Sequence, residues 1–420
     1  MFQLVAVIGT GYKYARYDGR PMIYNIIQAL RAWLVEHDLF GYFRVLTYVE
    51  FRAALAVILS FSIVLFFGKR TIAWLMRQKI GDNPEFYRAD LNELMKQKAN
   101  TPTMGGILIS AAVAASTLLL ADISSFYVQM AILCIVWLVA VGAVDDWLKL
   151  TSARRSPGSR EGLYTWEKLL FQFGLAVLLG IFTHHYGVTK FAGEENHDIL
   201  LMSHSLTLPL LRSWQTVGGD IVPGDHLIVL GAVPFVLLSM LVIAGSSNAV
   251  NLTDGMDGLA SGVMSVVGFA FMILALIAGT EFWAKYLLVP YIPLSAELAV
   301  IAGAMVGACL GFLWFNCHPA QVFMGDTGSL PLGGLIGYIA VVIRQEFLLL
   351  IIGGIFVLEA LSVIIQVGYF KLSGGKRIFR CAPIHHHFHL GGWTEQQVVV
   401  RFWLITAVLA AVALATIKLR

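Results

Sequence analysis

Ten stretches of 14 to 24 mostly apolar residues punctuate this 420-residue chain. They lie near 52–67, 105–121, 126–144, 169–185, 227–243, 259–279, 296–314, 330–343, 347–370 and 397–417. A helix that crosses a bilayer needs roughly 20 such residues. Only helices and closed barrels satisfy their backbone polar groups in hydrocarbon, and runs of this length point to helices. The expected fold is therefore an all-α polytopic membrane protein of about ten transmembrane helices. The eighth run, "LPLGGLIGYIAVVI", is short and rich in glycine, and is the weakest of the ten. Composition agrees: 58% of residues are hydrophobic and 13% charged, where soluble domains carry about 25% charged residues. A net charge of +3 leaves nucleic acid out as a partner. Cys134, Cys309, Cys317 and Cys381 have no C-x-x-C spacing, so neither a disulfide framework nor a zinc ribbon is expected.

Ten spans place alternate loops on opposite sides. Loops 68–104, 145–168, 244–258, 315–329 and 371–396 share one side and hold sixteen Lys and Arg; the other loops with the C-terminal tail hold six. The positive-inside rule puts the first set in the cytoplasm. The first 51 residues carry five basic residues, which an interfacial helix explains. "MFQLVAVIG" lacks the basic start and cleavage site of a signal peptide. Met22 opens a more amphipathic stretch, so residues 1–21 are expected to be an extension and 22–420 a single transmembrane domain. The turn-rich loop 186–226 is expected to form a small hairpin on the other side.

All the polar stretches with chemical content fall in the cytoplasmic set. In "SSNAVNLTDGMDG", Asn248, Asn251, Asp254 and Asp257 recur every third residue and share a broad helical face. Gly245, Gly255 and Gly258 suggest a broken or capped helix there. A capping turn accounts for one or two of these residues, not four. In "VFMGDTGSLPLGG", Asp326 stands between glycines at a helix start, a setting that favours anions. Either it is an ordinary N-cap or it holds a cation that in turn holds phosphate; Mg²⁺ suits the second reading.

"APIHHHFH" offers His385, His386, His387 and His389. Adjacent histidines do not converge on one ion, so a phosphate or sugar site is expected, supported by Lys371, Lys376, Arg377 and Arg380. A basic loop on anionic lipid explains the cations alone. "KQKANTPTMGG" sets Lys98, Thr101 and Thr103 before the second span, without the P-loop pattern. A helix cap with a snorkelling lysine is the plainer alternative. In "VAVGAVDDWLK", Asp145 and Asp146 point about 100° apart on a helix, and Lys149 reaches either. The two acids are thus expected to do different jobs, one aimed at a metal or lysine and the other at a substrate proton. Lys168 opens the fourth span and is suited to neutralising phosphate.

With "TPTMGG", "VDDWLK", "NAVNLTDGMDGL", "FNCHPAQVFMGDTGSL" and "APIHHHF" in this order, the chain resembles the phospho-N-acetylmuramoyl-pentapeptide-transferase family, part of the polyprenyl-phosphate N-acetylhexosamine-1-phosphate transferase superfamily. The resemblance runs from about residue 22 to the C-terminus. It implies an Mg²⁺-dependent enzyme of the bacterial inner membrane with its active site facing the cytoplasm. The implied reaction takes UDP-MurNAc-pentapeptide and undecaprenyl phosphate to lipid I and UMP, the first membrane step of peptidoglycan synthesis. Asp145, Asp146, Asp326, Lys98, His385 and His386 match catalytic positions, with Asp326 and Asn251 on the metal. Asn248, Asn251, Asp254, Gly255, Asp257, Asn316 and Phe323 match the nucleoside and diphosphate site, Phe323 stacking on uracil. Thr103, Lys149, Lys168, Gln366 and His387 match further substrate-binding positions. A homodimer and membrane lipid are the implied partners. The chain departs from the pattern at Met95, Asn100 and His389, and in the long loop "SARRSPGSREGLYTWEK".

Two other function classes remain at this point. A sister enzyme would use UDP-N-acetylglucosamine, against which "APIHHHF" speaks. An ion-coupled transporter would place its acids at mid-bilayer, where the sequence has Glu359 alone in the ninth run. A structural scaffold leaves all five polar stretches unexplained.

Overall fold

The computed structural model describes residues 22–78, 101–155, 162–193 and 196–418. The extension expected at 1–21, and Lys98, Met95 and Asn100, lie outside the described residues. Ten helices correspond to the ten apolar runs: α1 (Val49–Arg77), α2 (Gly106–Leu120), α3 (Phe126–Arg155), α4 (Thr165–Lys190), α5 (Ala232–Thr253), α6 (Leu259–Gly279), α7 (Leu298–Asn316), α8 (Asp326–Val342), α9 (Gly354–Leu372) and α10 (Glu395–Lys418). Eight contain a stretch long and apolar enough to cross a membrane; α2 and α8 are shorter. The chain is a multi-pass membrane protein.

Several helices run past the ends of their apolar runs. α3 is one 30-residue helix, about 45 Å long, and carries Asp145 and Asp146 inside it rather than in a following loop. α5 likewise continues through Asn248 and Asn251 to Thr253, with Asp254 as its C-cap. The ninth run is divided, since Glu346–Ile352 and α9 are separate helices meeting at Gly353.

The short eighth helix sits at the centre. Every residue of α8 is buried, so it packs between helices instead of facing lipid and has no need of full spanning length. Pro331 lacks the N–H that would bond the carbonyl of Thr327; Ser110 of α2 donates to that oxygen at 3.2 Å instead. Ser247 of α5 donates to the carbonyl of Leu330 at 3.0 Å. α8 packs on α5 and α3, and α7 packs on α1 and α6. α7 is the most enclosed of the eight spans.

Beyond the end of α4 the chain forms the expected hairpin. Strands β2 (Trp214–Val217) and β3 (Asp220–Pro223) pair antiparallel, Trp214 opposite Pro223. Gly218 and Gly219 close it with positive φ at both turn positions, as a tight hairpin turn of this hand requires. β1 (Ser205–Leu206) pairs with β4 (Ile228–Val229).

Candidate active site

The parity read from the loops is reproduced in space. The starts of α2, α4, α8 and α10 and the ends of α3, α5, α7 and α9 lie at one end of the bundle, and two of the motif stretches are tied together there by backbone. Phe323 N–H donates to the carbonyl of Pro102, Gly105 N–H to that of Phe323, and Gly106 N–H to that of Met324, each at 2.8 Å. "TPTMGG" and "VFMGD" are therefore laced side by side. Gly325 then turns the chain into α8 with φ +71°, and a Cβ there would come 2.8 Å from Asp146 Oδ2 and 3.1 Å from Thr103 Oγ1. Both the backbone conformation and the close approach call for glycine.

Around this turn stand Asp145, Asp146 and Asp326, each with an oxygen within 4.8 Å of the others and all three buried. The adjacent acids do different work. Asp146 faces the N-terminus of α8: its Oδ1 accepts from Asp326 N–H at 3.2 Å, and its Oδ2 from Thr327 N–H at 2.9 Å and Thr327 Oγ1 at 2.6 Å. It caps α8 from another helix and satisfies N–H groups that begin that helix without partners. Asp145 faces the lysines. Its Oδ1 accepts from Leu163 N–H at 2.7 Å, while its Oδ2 lies 2.7 Å from Lys149 Nζ and 2.6 Å from Lys168 Nζ. Lys168 Nζ is also 2.6 Å, and Lys149 Nζ 3.2 Å, from Asp326 Oδ2. Oδ2 of Asp145 and Oδ2 of Asp326 thus converge on one corner. Buried carboxylates are costly unless paired, and the two ammonium groups offset that cost.

Asn251 completes the corner. Its amide nitrogen donates to Asp326 Oδ1 at 2.8 Å and to Ser329 Oγ at 2.9 Å, so it orients the carboxylate. Asp254 Oδ2 accepts from Gly325 N–H at 3.1 Å and pins the turn after α5 against the turn into α8. Asp257 lies one step further out, where its Oδ2 accepts from Ala320 N–H at 3.1 Å and lies 3.0 Å from His318 Nδ1. Glu395, in the first turn of α10, accepts from Asp257 N–H at 2.8 Å. Asp257, His318 and Glu395 form a second group with metal-ligand spacing, but each is already engaged by the others or by backbone.

Other expected site residues hold the frame. Asn316 Oδ1 accepts from Gly258 N–H at 3.0 Å, and its Nδ2 donates to the carbonyl of Val322 at 2.9 Å, joining two motif loops. Gln366 Oε1 accepts from Ile378 and Phe379 N–H at 3.1 and 2.9 Å and anchors the loop that leads to the histidines. His387 Nδ1 accepts from Arg380 N–H at 3.1 Å. His389 Nδ1 lies 3.0 Å from the carbonyl of Trp393, a local turn contact. Asn248 donates to Gln172 Oε1 at 2.6 Å and to the carbonyl of Ala244 at 2.8 Å; it braces α5 against α4 and reaches none of the three clustered carboxylates. Phe323 is half-buried beside the turn. His385 and His386 are buried.

Sequence reasoning missed Glu395 and His318, whose partners come from other loops and leave no local pattern. The hydroxyl of Thr327 was within reach, since it follows Asp326 at a helix start. The cluster's donors are carboxylate oxygens, the ligand type preferred by hard divalent cations, and the three aspartates could hold such an ion.

A buried trio of aspartates, two of them paired with lysines, at one end of a helical bundle suits phosphate chemistry at a membrane surface. The glycosyl transferase family 4 profile matches residues 128–344, from α3 to just past α8. The phospho-N-acetylmuramoyl-pentapeptide-transferase signature 1 matches residues 98–109. The phospho-N-acetylmuramoyl-pentapeptide-transferase of Desulfotalea psychrophila is 42% identical over 95% of this chain and 100% of its own length. That of Thermodesulfovibrio yellowstonii is 41% identical over 95% of this chain and 100% of its own. The chain belongs to the phospho-N-acetylmuramoyl-pentapeptide-transferase family. The family 4 match encloses Asp145, Asp146, Lys149, Lys168, Asn251 and Asp326, while the histidines of residues 385–389 lie outside it.

Proposed function

We propose that this protein transfers phospho-MurNAc-pentapeptide from UDP-MurNAc-pentapeptide to undecaprenyl phosphate, giving lipid I and UMP at the cytoplasmic face of a bacterial inner membrane. Family membership supports the reaction, and the excess of Lys and Arg in the loops at the motif-bearing end supports the side. The observation that carries the chemistry is the corner where Asp145 Oδ2 and Asp326 Oδ2 meet two lysine ammonium groups. Phosphoryl transfer asks chiefly for positioning and charge neutralisation. Assembly as a homodimer belongs to this reading through the family resemblance.

Asp145 and Asp326, with Asp146 beside them, would hold Mg²⁺. When bound, the ion would neutralise phosphate oxygens and polarise the phosphorus under attack. Lys149 and Lys168 draw the two substrates' phosphates toward the same corner. Asn251 and Asp254 keep the α5 and α8 turns in register beneath them. Asp146 is occupied with the α8 N-terminus, so Asp145 is the member of the pair that meets the lipid phosphate. A lipid phosphate has its second pKa near 6 and is largely dianionic at neutral pH. Asp145 then orients the nucleophile rather than having to deprotonate it. Attack of the lipid phosphate oxygen on the β-phosphorus breaks its bond to the bridging oxygen, and UMP leaves with that oxygen.

The test is to give purified protein undecaprenyl phosphate, Mg²⁺ and each nucleotide sugar in turn, following UMP and lipid product. Transfer from UDP-MurNAc-pentapeptide is expected. Transfer from UDP-N-acetylglucosamine alone would overturn the assignment in favour of the sister enzyme.

A further inference from the structure

Glu359 stands apart from the charges described so far. It lies in the middle of the ninth apolar run, "GIFVLEALSVII", and is fully buried. An ionisable group within a span is costly and calls for a partner. The partner is His385, whose Nδ1 is 3.0 Å from Glu359 Oε2. Gln366, seven residues on and so on the same face of α9, holds the loop that delivers this histidine.

The pairing determines which ring nitrogen is available. A carboxylate that only accepts would require the proton of this hydrogen bond to sit on His385 Nδ1. Nε2 is buried and meets no hydrogen-bond partner among the described residues. It is aimed at Gly255, where a Cβ would come 2.5 Å from it. Gly255 follows Asp254, which pins the turn into α8. A buried, unpartnered nitrogen thus faces the rim of the carboxylate corner, and the absent side chain of Gly255 leaves it room.

We propose that Glu359 is a positioning residue: it fixes the orientation and the Nδ1 proton of His385, so that Nε2 meets the nucleotide-sugar donor beside Asp254. This rests on the transferase reading above. The carboxylate acts through the ring and does not touch substrate. The arrangement follows the logic of a carboxylate–histidine pair in which the acid sets the tautomer.

The experiment uses the full chain in lipid nanodiscs, labelled with ¹⁵N in its histidine rings. The His385 signals are identified by their loss in His385→Gln. The wild type is expected to show a protonated Nδ1. Glu359→Gln, whose amide can donate as well as accept, is expected to disturb that state and to lower kcat roughly 10²-fold. Glu359→Asp should recover part of the loss. In a His385→Gln background, Glu359→Gln should cost less than about threefold more, because its effect passes through the ring. An unprotonated Nδ1 in the wild type would overturn the proposal, and that measurement stands even where Glu359→Gln fails to assemble. Equal cost of Glu359→Gln with and without His385 would also overturn it. If the wild type transfers from neither nucleotide sugar, the transferase reading fails, while the ring signals still report on the pair.

Discussion

The two ends of the helical bundle use the same kinds of charged side chain to opposite effect. At the end away from the motifs, two buried arginines each face a glutamate and a backbone carbonyl. Arg52 of α1 makes two hydrogen bonds to Glu297, at 2.8 and 2.5 Å, and a third to the carbonyl of Leu120 at 2.8 Å. Glu297 also accepts from Asp122 N–H at 2.8 Å. Arg344 lies 2.9 Å from Glu346, donates to the carbonyl of Ser205 at 2.9 Å and stacks over Phe235. Burial holds the Glu346 carboxyl above its usual range and the Arg344 guanidinium below its own. At the motif end, Asp145 and Asp326 share two lysines beside Asp146, and the groups converge on a corner instead of pairing off. One end is a set of staples; the other is a charge arrangement that a cation and phosphates can enter.

That contrast can be broken by substitution. The largest effect is expected for Asp326→Asn and Asp145→Asn, each lowering turnover about 10³-fold with little change in thermal unfolding. Near-wild-type lipid product from either would remove the corner from the mechanism. Asp146→Asn should lower turnover as well, but it should also reduce stability, because an amide presents a donor to the N–H groups of α8. A melting temperature equal to that of Asp145→Asn would contradict the capping role. Arg52→Ala at the opposite end should show the reverse signature. Stranding Glu297 should cost about 3–5 kcal/mol of unfolding free energy, while the folded fraction keeps its kcat; a fall in kcat at full stability would mean the two ends are coupled. Gly325→Ala should cost about 1–3 kcal/mol for the left-handed backbone alone and lower turnover by crowding Asp146. The smallest effect is expected for Glu281→Ala, which breaks an exposed pair with Lys285 at 2.7 Å. It should stay within about 0.5 kcal/mol and leave activity unchanged in the same assay.

The spans and their alternation were legible because apolar runs are local and loop charge is countable. The different jobs of Asp145 and Asp146 were legible in outline from their angular separation on a helix. Which acid does which was not, because the answer depends on the N-terminus of α8, some 180 residues away in the chain. The continuation of α5 through Asn248 and Asn251 was foreshadowed by their spacing of three. Their separate fates were not: Asn251 points at Asp326 and Asn248 at Gln172, and only the packing of α4 against α5 distinguishes them. The eighth run looked weak as a span because it is short and glycine-rich, and its place at the centre of the bundle accounts for both. Glu359 announced itself as a charge in an apolar run, but its histidine arrives from a different loop.

The buried course of α8 has a mechanical consequence. Asp326 rides on a rod that is clamped by Asp146 at one end, adjoins the Arg344–Glu346 staple at the other, and is sheathed by protein along its whole length. Bilayers that thicken or thin act on lipid-facing helices, which tilt to match them. A rod with no lipid contact does not feel that load directly. The carboxylate that anchors the corner is thereby insulated from the physical state of the membrane in which its lipid substrate must diffuse.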